Sequence, residues 1–248
     1  MQGSGPPLLL VMGIGGNIEM WRPLADALPD FTTIAFDAPG TGESDTPRWP
    51  MSMRRLARIS ARLVERLGHP AVDVLGVSYG GAVAQEMAYR HPARVRRLVL
   101  AATTYGIGSL PGKPLAMALL ATPLRYYSRS HLRSVASALY GGRIAQRPDL
   151  LEDDAYARLR HAPSVKGYAW QLAAIATWSS LPYLRRIAAP TRVLVGDDDP
   201  IIRVFNARVL ARLIPHADLV VMRGGGHLFL IDQAEESAAL IREFLASF

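Results

Sequence analysis

Cysteine is absent from the 248-residue chain, which excludes disulfides, thiolate zinc sites and a cysteine nucleophile. Uninterrupted apolar runs of about 18 residues are also absent, so we expect no transmembrane helix. The first residues carry no Lys or Arg ahead of their short apolar stretch, which argues against a secretory signal. We therefore expect a cytoplasmic protein whose core needs no covalent support.

Lysine is scarce, since Lys113 and Lys166 are the only two among 28 basic residues. The net charge is +7, and residues 111–186 hold eleven Lys or Arg against four Asp or Glu. Outside that segment, one arginine stripe repeats every fourth residue and predicts an amphipathic surface helix: Arg54, Arg58, Arg62 and Arg66. No nucleic-acid-binding motif accompanies it, so we interpret the charge as a solvated surface and expect no nucleic-acid partner.

Short apolar runs alternate with helical patterns along most of the chain. Most residues of these runs are apolar and do not alternate with polar ones, which is typical of strands covered on both faces: Leu8–Met12, Thr32–Phe36, Ala71–Val77, Arg97–Ala101, Arg192–Val195 and Asp218–Met222. Helical periodicity marks the segments between and after them: Met20–Leu28, Ser52–Leu67, Ala82–Arg90, Val204–Leu213 and Gln233–Phe248. The alternation predicts an α/β fold with a mostly parallel sheet.

The alternation stops between about Tyr105 and Ala188, where strand patterns disappear and helix-like stretches with prolines replace them. We interpret residues 105–188 as a helical cap, or lid, inserted between two strands. Residues 1–104 and 189–248 then form the core domain.

One candidate nucleophile stands at a predicted strand-to-helix turn. Gly76-Val77-Ser78-Tyr79-Gly80 is a G-x-S-x-G motif between an apolar run and a helix-like segment. Glycines two positions either side of Ser78 leave room for a sharp turn, and the helix N-terminus favours developing negative charge there.

A serine hydroxyl needs a base to become nucleophilic, and His227 is the best candidate among six histidines. It follows three glycines after the last predicted strand, which lets an imidazole project over the sheet edge. An acid should orient it, and three consecutive acids, Asp197, Asp198 and Asp199, follow the fifth predicted strand. Three adjacent acids cannot all be buried and unpaired, so one is functional and the others are solvated.

These motifs in this order resemble the α/β-hydrolase superfamily over nearly the whole chain. The resemblance implies that Asp199 is the triad acid, with Asp198 as the alternative. It also implies an oxyanion hole built from the amides of Tyr79 and Ile14. Relatives begin with an antiparallel hairpin that this chain lacks, so we expect about six strands.

Within that superfamily the sequence is similar to intracellular poly(3-hydroxyalkanoate) depolymerases, and several similar pieces lie in the predicted cap: Gly13–Trp21, Phe36–Pro47, Pro111–Pro114, Tyr140–Gly142, Trp170–Leu172, Gly196–Pro200 and Gly226–Leu230. The resemblance implies cleavage of esters of medium-chain 3-hydroxy acids.

We therefore expect a serine ester hydrolase for small or polymeric medium-chain esters, with no metal and no organic cofactor. A perhydrolase or acyltransferase, or a hydrolase-fold receptor, would use the same residues. Cap aromatics should line the cleft above Ser78, and we expect Trp170 and Trp178 to bind substrate. The oligomeric state is left open.

Overall fold

The computed structural model describes residues 1–151 and 157–247. Within these residues six parallel strands form one sheet in the order β2-β1-β3-β4-β5-β6. The strands are β1 (Pro7–Val11), β2 (Thr32–Ala35), β3 (Val72–Val77), β4 (Val95–Ala101), β5 (Thr191–Gly196) and β6 (Ala217–Met222). The predicted α/β fold, with a mostly parallel sheet of about six strands, is confirmed.

The helices of the core domain lie close to their predicted ranges: α1 (Arg22–Asp26), α2 (Met53–Arg66) and α3 (Tyr79–Arg90), followed after the fifth strand by α8 (Val204–Leu213), α9 (Phe229–Asp232) and α10 (Ala234–Ala246). Helix α3 begins three residues earlier than predicted, directly after Ser78. The predicted C-terminal helix is divided into α9 and α10. Strand β3 therefore lies between α2 and α3 in the chain, and it ends one residue before the candidate nucleophile, Ser78.

The order of the strands places two loops side by side. Strand β2 lies next to β1 at one edge of the sheet, and β3 lies on the opposite side of β1. Val11 and Gly76 are register partners at the carboxyl ends of β1 and β3. The loops that follow these strands therefore meet at the point where the strand order reverses, which is where open α/β sheets bind ligands.

Between β4 and β5 the described residues form helices and turns without a strand. The longer helices are α4 (Pro114–Leu120), α5 (Arg129–Tyr140), α6 (Gly142–Gln146) and α7 (Val165–Ala176). We call residues 105–188 the cap segment. Within it, Gly106 near the start and Ser179 in the last part form an isolated antiparallel bridge.

Alternate residues of each strand point to opposite faces of the sheet, which separates two hydrophobic clusters. Leu8 and Leu10 of β1 belong to a cluster with helices α1 and α10. Leu9 and Val11 belong to the other cluster, which continues into the cap segment. The cap segment therefore shares its hydrophobic core with one face of the sheet.

No helix in the described ranges combines the length and the hydropathy that a membrane span needs. The same ranges hold no group of three or more His, Asp or Glu side chains placed to bind a metal ion.

Candidate active site

Ser78 occupies a strained turn between β3 and α3. Its backbone has φ 54° and ψ −119°, in the left-handed half of φ space that residues other than glycine rarely adopt. Hydrogen bonds hold this geometry, because the Ser78 amide donates to Ala101 O at 2.9 Å and Thr103 Oγ1 donates to Ser78 O at 2.7 Å. The turn presents the Ser78 side chain to a cleft above the sheet.

The two glycines of the motif are required by close backbone approach. A Cβ built on Gly80 would lie 1.9 Å from the carbonyl oxygen of Val11, and one on Gly76 would lie 2.4 Å from the oxygen of Gly80. Any side chain at either position would push the turn away from β1 or from the start of α3. The G-x-S-x-G spacing is therefore explained by packing around the serine.

His227 and Asp199 form a buried pair at the carboxyl ends of the last two strands. His227 Nδ1 lies 2.8 Å from Asp199 Oδ2, while Asp199 Oδ1 accepts hydrogen bonds from the amides of Ile201 and Ile202 at 2.8 and 2.9 Å. Because the carboxylate accepts a hydrogen bond from Nδ1–H, the Nε2 atom carries a lone pair that can take a proton. His227 lines the same cleft as Ser78.

The structure places Asp199, and not its two neighbours, against the imidazole. Asp198 is exposed and accepts a hydrogen bond from the Gly142 amide at 2.9 Å, with Lys113 Nζ 3.8 Å from its other oxygen. Asp197 is exposed. The acid that the sequence left as the alternative therefore links the loop after β5 to the cap segment.

The loop after β1 packs against the candidate nucleophile. A Cβ built on Gly13 would lie 3.4 Å from Ser78 Cβ. The Ile14 amide makes no hydrogen bond to any residue in the described ranges. The Tyr79 amide begins helix α3, so it has no carbonyl partner within the helix. The two amides predicted to hold an oxyanion thus belong to segments in contact around Ser78.

Two side chains of the cap segment hold the peptide group that follows Ile14. Tyr126 Oη donates to Ile14 O at 2.6 Å, and the Gly15 amide donates to Gln171 Oε1 at 2.8 Å. Both polar atoms of the Ile14–Gly15 peptide are therefore bound by the cap segment. We call this arrangement the peptide clamp. The sequence did not predict this contact, although Tyr126 is one of the cap aromatics expected at the cleft and Gln171 lies within a segment that resembles the depolymerases.

A Cβ on Gly15 would meet the rings of Tyr126 at 2.7 Å and Tyr168 at 2.9 Å. Gly15 also has φ +71°, which favours glycine. The close approach of the two tyrosines therefore needs glycine at this position.

The cleft over Ser78 is lined mostly by apolar side chains from both the core domain and the cap segment. The aliphatic and aromatic contributors include Met12, Met20, Trp21, Leu120, Tyr126, Tyr140, Ile201, Leu228, Leu230 and Ile231. An apolar wall of this kind suits an acyl chain, whose burial stabilises a complex by about 0.8 kcal/mol per methylene. Arg125 and Arg158 are buried and also line it. The interpretation of the positive charge of residues 111–186 as a solvated surface is therefore wrong for these two side chains.

Neither tryptophan predicted to bind substrate lines this cleft. Trp178 is buried at the seam between cap segment and core, where its Nε1 donates to Glu86 Oε1 at 3.0 Å. Trp170 Nε1 donates to Pro47 O at 3.3 Å. The prediction is corrected because each indole finds its hydrogen-bond acceptor away from the cleft, and other cap residues take the place that we expected for them.

Comparison with known proteins identifies the family of this chain. Residues 6–234 match a model of the alpha/beta hydrolase fold. The chain belongs to the alpha/beta hydrolase family.

One curated relative in this alpha/beta hydrolase family is a poly(3-hydroxyalkanoate) depolymerase from Ectopseudomonas oleovorans. It is 44% identical over 96% of this chain and 84% of its own length. Among solved structures, a Pseudomonas aeruginosa hydrolase matches with TM-score 0.83 and 27% identity, over 99% of this chain and 92% of its own. A thermophilic esterase from Thermogutta terrifontis matches with TM-score 0.80 and 28% identity, over 98% of this chain and 90% of its own.

Proposed function

We propose that this protein is a serine ester hydrolase that cleaves esters of medium-chain acyl or 3-hydroxyacyl groups. The observation that carries the proposal is one apolar cleft lined by both Ser78 and His227, whose Nδ1 lies 2.8 Å from the buried Asp199 carboxylate. The depolymerase that is 44% identical to it supports the substrate class. A cytoplasmic location and the absence of a nucleic-acid partner stay predictions of the sequence.

The reaction follows from the chemistry of these groups. His227 Nε2 takes the proton of Ser78 as the Ser78 oxygen attacks the ester carbonyl. The amides of Ile14 and Tyr79 donate hydrogen bonds to the oxyanion that forms. His227 then gives the proton to the departing alcohol oxygen, and an acyl-serine remains. Water, deprotonated by the same imidazole, attacks the acyl-serine. The acid is released as the imidazolium returns that proton to the Ser78 oxygen.

The buried Asp199 carboxylate has a separate duty in this sequence of steps. It stabilises the positive imidazolium that exists after each proton transfer, and it holds Nδ1 as the protonated nitrogen. Two backbone amides fix one of its oxygens, so the other stays aimed at the ring.

The test combines a covalent probe with a chain-length series. A fluorophosphonate should label the wild-type protein and leave Ser78→Ala unlabelled. Hydrolysis of p-nitrophenyl esters should show kcat/KM rising from acetate to at least hexanoate, because each added methylene buries apolar surface. An emulsified medium-chain polyester, tested beside these esters, should release soluble hydroxy acids.

Three results would contradict the proposal in different ways. Labelling without turnover of any ester would favour a receptor. Acyl transfer to peroxide or to an alcohol faster than hydrolysis would favour a perhydrolase or acyltransferase. Acetate as the best substrate would show a small pocket and remove the medium-chain assignment.

A further inference from the structure

Arg125 places a charged group inside the wall of the apolar cleft. The residue is 3% exposed and lines the same cleft as Ser78 and His227. Its Nη1 donates to Thr122 O at 2.9 Å, while its Nε has no hydrogen-bond partner in the described ranges. A guanidinium stays protonated when buried, so the cleft wall carries a full positive charge here.

Aromatic faces, and not a carboxylate, surround this charge in the part of the chain that the structure describes. The guanidinium carbon lies 4.6 Å from the ring centroid of Tyr126 and 5.2 Å from that of Tyr168. Cation–π contacts of this kind hold and orient the group, but they leave its charge uncompensated. Buried charges in proteins are normally paired, because the loss of hydration is costly.

A second arginine of the cap segment lines the same cleft beside Arg125. Arg158 is 1% exposed, lines the same cleft, and donates from Nη1 to Tyr140 Oη at 3.0 Å. No Asp or Glu lines the cleft in the described ranges. The charge of Arg125 in an otherwise apolar cleft favours a ligand that has both a hydrocarbon part and an anionic end.

We propose that Arg125 forms a carboxylate subsite, which binds the free acid end of a short 3-hydroxy-acid oligomer while Ser78 attacks one of its ester bonds. This inference deepens the proposed function and rests on it. Every such oligomer carries one terminal carboxylate, and the planar fork of a guanidinium matches a carboxylate with two parallel hydrogen bonds. The enzyme should therefore prefer oligomers with a free acid end to their uncharged methyl esters.

The test compares the dimer of 3-hydroxyoctanoic acid with the methyl ester of the same dimer. For wild-type enzyme at pH 8, kcat/KM should be about tenfold higher for the acid, mainly through a lower KM, since a charge-assisted hydrogen bond is lost in the ester. In Arg125→Met that ratio should fall to about one. Arg125→Lys keeps the charge without the fork, and should retain part of the preference.

Arg160→Met is the matched control. Arg160 is another arginine of the cap segment, but it is exposed, and its Nη1 lies 3.6 Å from Glu19 Oε1. Its removal should leave the ratio of acid to ester turnover unchanged. An equal loss for both substrates in Arg125→Met would overturn the subsite and make Arg125 a packing residue. A wild-type preference for the methyl ester would overturn it as well.

A binding measurement keeps the two proposals distinguishable. Calorimetric titration of the dimer acid into Ser78→Ala should show about tenfold weaker affinity once Arg125→Met is added. If the wild type hydrolyses neither substrate but this affinity difference appears, the proposed function fails and the subsite stands. If hydrolysis occurs and the affinities are equal, the subsite fails and the proposed function stands.

Discussion

The core domain and the cap segment contribute to the cleft by different physical means. The core brings Ser78 and the loop after β1 together through backbone geometry, since Val11 and Gly76 are register partners and Gly80 allows close contact with β1. The cap segment contributes side chains that pack over this geometry. The reacting groups therefore depend on main-chain topology, while the wall of the cleft depends on side-chain packing.

The cap segment also holds the loops that carry the reacting groups. Its Tyr140 carbonyl accepts a hydrogen bond from the His227 amide at 2.7 Å, and its Gly142 amide donates to Asp198 at 2.9 Å. The peptide clamp adds two contacts to the loop after β1. A change in the cap segment can therefore alter turnover as well as substrate selection, and the following variants separate the two effects.

The largest effect should come from the core. Ser78→Ala or His227→Ala should each lower kcat for p-nitrophenyl hexanoate by roughly 10⁴-fold or more, because members of a catalytic unit fail together. Circular dichroism and thermal unfolding should show a retained fold. Retention of more than about a tenth of wild-type kcat by either variant would contradict their assignment, since a true triad member cannot be dispensed with.

The next largest loss of kcat should come from one of the three adjacent acids. Asp199→Asn should lower kcat by about 10³-fold or more, because an amide at this place stabilises the wrong imidazole tautomer. Asp197→Asn is the control and should be nearly silent, since Asp197 is exposed. A larger loss in Asp198→Asn than in Asp199→Asn would show that the cap contact of Asp198 matters more than the pair with His227.

The peptide clamp should have an intermediate effect. Tyr126→Phe removes the hydrogen bond to Ile14 O and should lower kcat about tenfold, with KM little changed, because the Ile14 amide loses its orientation toward the oxyanion. Affinity for a boronate transition-state analogue should fall in parallel.

Tyr168→Phe is the matched control for the clamp. It removes a hydrogen bond of the same length, 2.6 Å, from Tyr168 Oη to Leu120 O, within the same aromatic group. It should leave analogue affinity close to wild type. Equal losses in the two variants would show that the cap segment acts by general packing.

Chain-length selection should respond more weakly. Leu120→Ala should lower the ratio of octanoate to acetate turnover about fourfold, the equivalent of one buried methylene. Trp170→Ala should leave that ratio unchanged, since Trp170 lies outside the cleft. If Trp170→Ala lowered the ratio and Leu120→Ala did not, the original prediction that the tryptophans bind substrate would be supported.

The smallest expected effect is on stability and concerns Asp232. Burial raises the pKa of its carboxyl to about 6. The folded state then binds this proton more tightly than the unfolded state, so the carboxyl lowers stability as pH rises from about 4 to 6. Asp232→Asn should raise the midpoint of thermal unfolding slightly at pH 8 and leave it unchanged at pH 4. An equal shift at both pH values would exclude titration as the cause.

The strands, most helices and the positions of Ser78 and His227 could be predicted because their signals are local. The strands follow apolar runs, and the turn around Ser78 depends on glycines two residues from the nucleophile. The same reasoning could not choose among three adjacent acids. Their roles depend on whether His227, Gly142 or water stands opposite each carboxylate, and those partners lie far away in the chain.

The sequence by itself determined the parallel sheet, the strand–turn–helix at Ser78 and the order of the candidate triad, because short-range patterns of apolar residues and glycine dictate them. Only the tertiary structure decided which cap residues face the cleft. Tyr126 reaches Ile14 across 112 positions of the chain, and Gln171 reaches Gly15 across 156. Contacts between residues so far apart in the chain depend on how the helices pack on one face of the sheet. That packing buries Trp178 in the core and places Arg125 in the wall of the cleft.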